Sequence, residues 1–206
     1  MKPNPNFSKL ATAKQIQRTV KTLQANGFKA EVVANGQEAE KKVLKLIPQG
    51  AEVFTMSSQT LEAIGIAKEI NESGRYEAVR PKLMSMDSNT QAREMRKLAA
   101  APDFVIGSVH AVTEDGKLLI VSNSGSQLGS YAYAGGKVIF VLGTQKIVKN
   151  VDEGIRRINE YSYPLEDERA QKAYGMRSGV NKLLIINKEI NPERIHIILV
   201  KENLGF

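Results

Sequence analysis

Residues 137–143, KVIFVLG, set the strongest limit on the fold. Successive residues of a strand face opposite sides of a sheet, so the five apolar residues at 138–142 leave no side for water. Such a strand needs cover on both faces. The run at residues 195–200, IHIILV, makes a similar demand. Strand-like runs alternate with helical patterns over the first hundred residues, which is how α/β chains place helices on a parallel sheet.

Along the chain, Ser8 is a plausible N-cap for a helix reaching Asn26, with Gly27 as its stop. Strands are expected at residues 29–34, 51–56, 79–86, 104–112, 117–122, 137–143, 182–187 and 194–200. Helices are expected at residues 37–47, from Leu61 to near Gly74, at 90–100 and at 151–161, with 166–172 continuing helical after Pro164. The tetrapeptide Thr113-Glu114-Asp115-Gly116 is a hairpin-turn signal between two strands. The expected fold is therefore α/β, with a mixed, mostly parallel sheet flanked by helices and a β-hairpin region toward the C-terminus. Residues 8–206 read as one domain, and residues 1–7, with two prolines, as a loose arm.

Composition narrows the chemistry. The chain has no cysteine and no tryptophan, and only two histidines among 206 residues. Disulfides, thiolate metal sites and a cysteine nucleophile are excluded, and no metal site is expected. No apolar run approaches the ~20 residues that span a bilayer, and the N-terminus lacks the apolar core of a secretory signal. A cytoplasmic location is the resulting expectation. The net charge is +7, and residues 1–50 hold nine Lys/Arg against three Asp/Glu. Lys14, Arg18 and Lys21 form one stripe of the first helix, which suggests an anionic partner or simply a solvated face. No aromatic residues interleave with them to stack bases, so nucleic acid is the weaker reading.

Two segments suit ligand binding. Ser57, Ser58 and Thr60 stand where a strand gives way to a helix, where free backbone N–H groups and hydroxyls can cradle an anion. The loop SNSGSQLGS at residues 122–130 offers Asn123, Ser124, Gly125, Ser126 and Gln127, polar groups on a backbone that glycine lets approach closely. Neither segment fits a dinucleotide fingerprint, a P-loop or a nucleophile elbow. Lys146, after the strand at 137–143, adds a candidate positive charge. His110, near the acidic turn, is a candidate acid or base, as is Glu114, although a turn-forming role suits Glu114 as well. His196 alternates with Ile195 and Ile197 and reads as part of a packed face.

Four stretches together carry a family resemblance: residues 50–66, 108–126, 138–158 and 194–206. In residue order and spacing, from about residue 10 onward, the chain resembles the LUD (lactate utilisation) domain family. The resemblance implies a fold of the sugar-phosphate isomerase and CoA-transferase-like group. It also implies a link to the oxidation of lactate to pyruvate beside iron–sulfur and flavin-type partner proteins. Relatives often carry an Asn-Arg pair where Ser126 and Gln127 stand here, and cysteines near the C-terminal segment. This chain therefore lacks a fixed cation at Gln127 and cannot itself ligate an iron–sulfur cluster through cysteine.

The leading expectation is a LUD-type protein binding a small anionic metabolite: a hydroxy or keto acid, or a phosphorylated or CoA-linked compound. The alternatives are a stand-alone isomerase or acyl-transferase using His110 or Glu114, and an adaptor for nucleic acid or an acidic protein. No bound cofactor is expected of the chain, and a homodimer is compatible with its many apolar strand residues.

Overall fold

The computed structural model describes residues 2–206. The first half of the chain contributes α1 (Ala13–Ala25), β1 (Lys29–Val33), α2 (Gly36–Leu46), β2 (Glu52–Thr55), α3 (Gln59–Ala63) and α4 (Ile66–Glu72). It continues with β3 (Glu77–Ala78), α5 (Val79–Ser85), α6 (Ala92–Ala100), β4 (Phe104–Gly107), β5 (Ala111–Thr113) and β6 (Leu118–Ser122). The remainder supplies β7 (Lys137–Gly143), β8 (Ile147–Val148), α7 (Val151–Arg157), α8 (Tyr163–Tyr174), β9 (Lys182–Ile186) and β10 (Ile195–Val200).

Six strands form one sheet in the order β1-β10-β7-β4-β2-β3, and every pairing in it is parallel. The other four form a smaller mixed sheet, β8-β5-β6-β9, in which β5 pairs parallel with β8 and antiparallel with β6. The run that limited the fold lies at the centre of the large sheet. From β7, Val138, Phe140 and Leu142 join one core cluster with Phe28, Val112, Leu118 and Ile120, beneath α1 and the small sheet. Ile139 and Val141 point the other way, into a cluster with Val43, Leu61, Ile66 and Ile70 of α2, α3 and α4. Burial of one such aliphatic side chain contributes roughly 1.5–3 kcal/mol, so β7 and β10 anchor both halves of the core.

Several local expectations are corrected. The N-cap of α1 is Thr12, not Ser8: its hydroxyl accepts the Gln15 N–H, and the Gln15 side chain accepts the Thr12 N–H in return. Residues 5–8 form a 3-10 turn, and Asn4 bonds Glu160 through both backbone and side chain. The segment expected as a strand at 79–86 is α5. Pro81 falls in its first turn, where a missing N–H leaves no ladder bond broken, and only Glu77 and Ala78 extend the sheet. The helix expected from Leu61 is two helices, α3 and α4, divided at Gly65, whose φ of 79° ends the first.

The strand expected at 104–112 is also divided. Residues 104–107 pair within the large sheet, and residues 111–113 within the small one, so Ser108, Val109 and His110 cross from one sheet to the other. The last two strands do not pair with each other, because β9 edges the small sheet while β10 enters the large one between β1 and β7. Between α7 and α8 the helix widens into a π turn at residues 158–162, just before Pro164, whose missing N–H would break a continuous α-helical ladder. Among the described residues, no helix is long and apolar enough to cross a membrane.

Candidate functional site

A cleft of about 410 Å³ opens where the chain leaves the carboxyl ends of β2, β4 and β7. Open α/β sheets place their ligands at this edge. Ser57, Ser58 and Thr60 follow β2, Ser108 and His110 follow β4, and Lys146 follows β7; all six line the cleft. Asn123, Ser124, Ser126 and Gln127 form another part of its wall. The two loops singled out in the sequence therefore face one space.

Lys146 sits at the base of this arrangement. It lies on a 3-10 turn directly after β7 and is only 1% exposed. Its Nζ donates to Thr60 Oγ1 at 3.2 Å and to Ser108 Oγ at 3.1 Å. Burial, aided by the charge of Arg157, holds its pKa well below that of an ordinary lysine.

Arg157 is a second buried cation, 0% exposed, projecting from the end of α7. It donates to the His110 carbonyl and to Ser162 Oγ, and its guanidinium lies over the Tyr161 ring at 5.2 Å. Its Nε and Nη2 have no hydrogen-bond partner. Burial lowers its pKa to about 10, which leaves it charged at neutral pH. Arg80, on α5, donates from Nε to the Thr55 carbonyl and from Nη2 to Ser57 Oγ, both at 2.9 Å. Among the described residues, no carboxylate pairs with Lys146, Arg157 or Arg80.

His110 keeps one edge open to the cleft while the rest of its ring is packed. Its Nδ1 accepts the Val121 N–H at 3.2 Å, so the proton of the neutral ring resides on Nε2. Burial first, then the charges of Lys146 and Arg157, push its pKa down to about 3. At neutral pH it is an uncharged hydrogen-bond donor. Tyr131 completes this side. Its hydroxyl lies so close to Gly107 that a Cβ there would approach within 1.8 Å, and its ring meets Phe140 edge-on at 4.7 Å. Burial raises the Tyr131 pKa and keeps the phenol protonated.

Other sequence candidates have different surroundings. Glu114 is outside the cleft: it accepts from Arg18 at 2.8 Å and Gln15 at 3.2 Å, which fastens the turn to α1. Asn26 and Thr22 bond the same turn's carbonyls, so its place in the molecule is structural. The Arg18–Glu114 pair also interrupts the basic stripe of α1. His196 lies beside Glu31, at 2.7 Å, at the far end of the sheet. Ser58 caps α3 by accepting the Leu61 N–H, and at five residues α3 is too short to add a substantial dipole. Gly125 packs against Lys182, with φ 87°, behind the wall made by its neighbours.

Sequence reasoning missed Ser108, Arg80, Arg157 and Tyr131. The polar Ser-Val-His after an apolar run marked a strand end and was the available signal for Ser108. Arg80 gave none, because its segment reads as a strand. Among the described residues there is no group of three His, Asp or Glu placed to hold a metal ion.

A parallel α/β sheet with a cation-bearing polar cleft across its carboxyl edge defines the class. Residues 16–200 match the family model of the LUD domain, and the chain belongs to that family, which is linked to lactate utilisation. A crystal structure of a DUF162 family protein from Deinococcus radiodurans is similar over 93% of this chain and 99% of that one. It has a TM-score of 0.58 at 13% identity, and the likeness establishes the fold. D-ribose-5-phosphate isomerase in complex with phospho-erythronic acid aligns over 55% of this chain and 53% of its own, at 16% identity and a TM-score of 0.34. eIF2B beta from Chaetomium thermophilum aligns over 66% and 43%, at 18% identity and 0.31. Scores this low bear on neither site nor chemistry. A search of curated proteins finds no match.

Proposed function

We propose that the cleft binds a small anionic metabolite, a hydroxy or keto acid or a phosphorylated or CoA-linked relative, in the service of lactate oxidation. The observation that carries this reading is the set of cations without carboxylate partners, with the fully buried Lys146 at the cleft floor. A buried cation without a counter-charge is costly, and an anionic ligand is the group that would relieve the cost. Arg80 offers a guanidinium suited to a carboxylate or phosphate, and the neutral His110 offers an Nε2–H to a hydroxyl or carbonyl oxygen. The donors Ser57, Ser126 and Gln127 would fix orientation.

Oxidation of a hydroxy acid needs an electron acceptor. The chain has no cysteine to hold an iron–sulfur cluster, so a cluster serving as acceptor would reside on a partner protein. Calorimetric titration with lactate, pyruvate and inorganic phosphate at low ionic strength tests the anion site. Binding of at least one, weakened about tenfold or more in Lys146→Met and in Arg80→Gln, is expected for charge-assisted contacts of roughly 1.5–3 kcal/mol. Unchanged affinity in both variants, or no binding of any of the three, would remove the proposal.

A further inference from the structure

We propose that Lys146 condenses with the carbonyl carbon of a small 2-oxo acid, so that the cleft holds this ligand as an imine. The inference rests on the anion-site reading and narrows it to keto acids with a free carboxylate.

The bonding around Nζ carries the argument. A neutral amine has two hydrogens and one lone pair. Its two protein contacts are both hydroxyl oxygens, Thr60 Oγ1 and Ser108 Oγ, which together match the two hydrogens. Thr60 in turn donates to the Leu204 carbonyl at 3.1 Å, so its oxygen is fixed as the acceptor of the lysine N–H. The Ser108 hydroxyl can turn its own proton to the Val109 carbonyl, 3.5 Å away, which leaves the Nζ lone pair to a ligand in the cleft that Lys146 borders. No carboxylate pairs with Nζ to hold the ammonium form against burial, so the amine is reached more readily than in an ordinary lysine. Burial together with a second cation, Arg157, is the setting that turns a lysine into a nucleophile.

The electron bookkeeping is complete within the two reactants. The Nζ lone pair attacks the carbonyl carbon and the C=O π pair moves onto oxygen. Both amine hydrogens leave with that oxygen as water while the C=N bond forms, and no oxidant or reductant takes part. Ser108, bonded to Nζ, is placed to relay a proton toward the departing oxygen, and the His110 Nε2–H is a second donor on the same wall. Arg80 is available to the substrate carboxylate, which gives the site a reason to prefer 2-oxo acids over simple aldehydes.

The test uses the full chain, pyruvate or glyoxylate as probe and cyanoborohydride as trapping agent at neutral pH, read by intact mass and peptide mapping. The expected result is about one reduced adduct per chain, on the peptide carrying Lys146, as an activated lysine requires. Lactate, which has no carbonyl, should give none, and excess lactate should slow trapping of pyruvate. Lys146→Arg should lower labelling of that peptide about tenfold or more. The wild-type map stands without the variant, should the variant fold poorly. Adducts spread over exposed lysines at the rate seen for Lys146, or none at Lys146, would overturn the imine. Calorimetry without reductant separates the two proposals. Pyruvate binding that depends on Lys146 but yields no adduct overturns the imine alone, and absence of any binding overturns the anion site with it.

Discussion

Lowering the pH should destabilise this protein through His110 before most carboxylates begin to titrate. The Nδ1 atom accepts the Val121 N–H, so a proton added there would set one donor against another and break the bond across residues 110–121. The charges of Lys146 and Arg157 oppose the same proton, and burial outweighs both. The folded pKa of about 3 therefore lies below the unfolded value of 6.5. Between these limits the unfolded chain binds a proton that the native state does not, so stability rises with pH across the window and is lost as pH falls through it. The slope approaches about 1.4 kcal/mol per pH unit, and moving from pH 7.5 to 5 should cost roughly 2 kcal/mol. For a chain of this length that is a fall of roughly 4–8 °C in Tm. Urea unfolding of the wild type and of His110→Asn across this range isolates the effect. The asparagine oxygen can accept the Val121 N–H but does not titrate, so its stability curve should lack the His110 component while sharing every other. Parallel curves for the two proteins would refute the assignment of a neutral, proton-resisting His110.

Two further outcomes follow from packing and docking. Gly107→Ala places a Cβ 1.8 Å from the Tyr131 hydroxyl and 2.8 Å from the ring carbon bearing it. It should cost about 1–3 kcal/mol in urea unfolding, and Tyr131→Phe in that background should restore part of the loss; additive effects would show that the two residues do not meet. Glu114→Ala should lower stability by about 1 kcal/mol by releasing Arg18 and Gln15, with ligand affinity in calorimetry unchanged. Loss of affinity would return Glu114 to the site.

The parts of the fold legible in the sequence were those where one residue pattern admits one environment. The apolar runs of β7 and β10 could only be buried on both faces, and the period of α2 pointed a single face inward. What escaped depends on distant partners. Pro81 read as a strand-edge residue because nothing nearby shows that it falls in a helix's first turn. The break at Ser108 arises from two sheets competing for one continuous apolar segment, which no local pattern records. Lys146 was a visible charge, but its burial depends on hydroxyls 86 and 38 positions earlier in the chain. The loops lining the cleft were readable as polar strand ends; the cations between them were readable only in part.

The position of β10 has a consequence for how the molecule comes to exist. The ninth strand to appear edges the small sheet, yet the tenth enters the large one between β1 and β7, and β1 has β10 as its sole strand neighbour. During synthesis β1 must wait, unpaired, through more than 160 residues until its neighbour emerges, as the register Lys29 to His196 requires. Until then β7 presents an open edge and the core around Phe140 lacks the cover of Ile197 and Leu199. A sheet closed by such long-range contacts forms late, and its unfinished edge is the point at which the nascent chain is most exposed to mispairing.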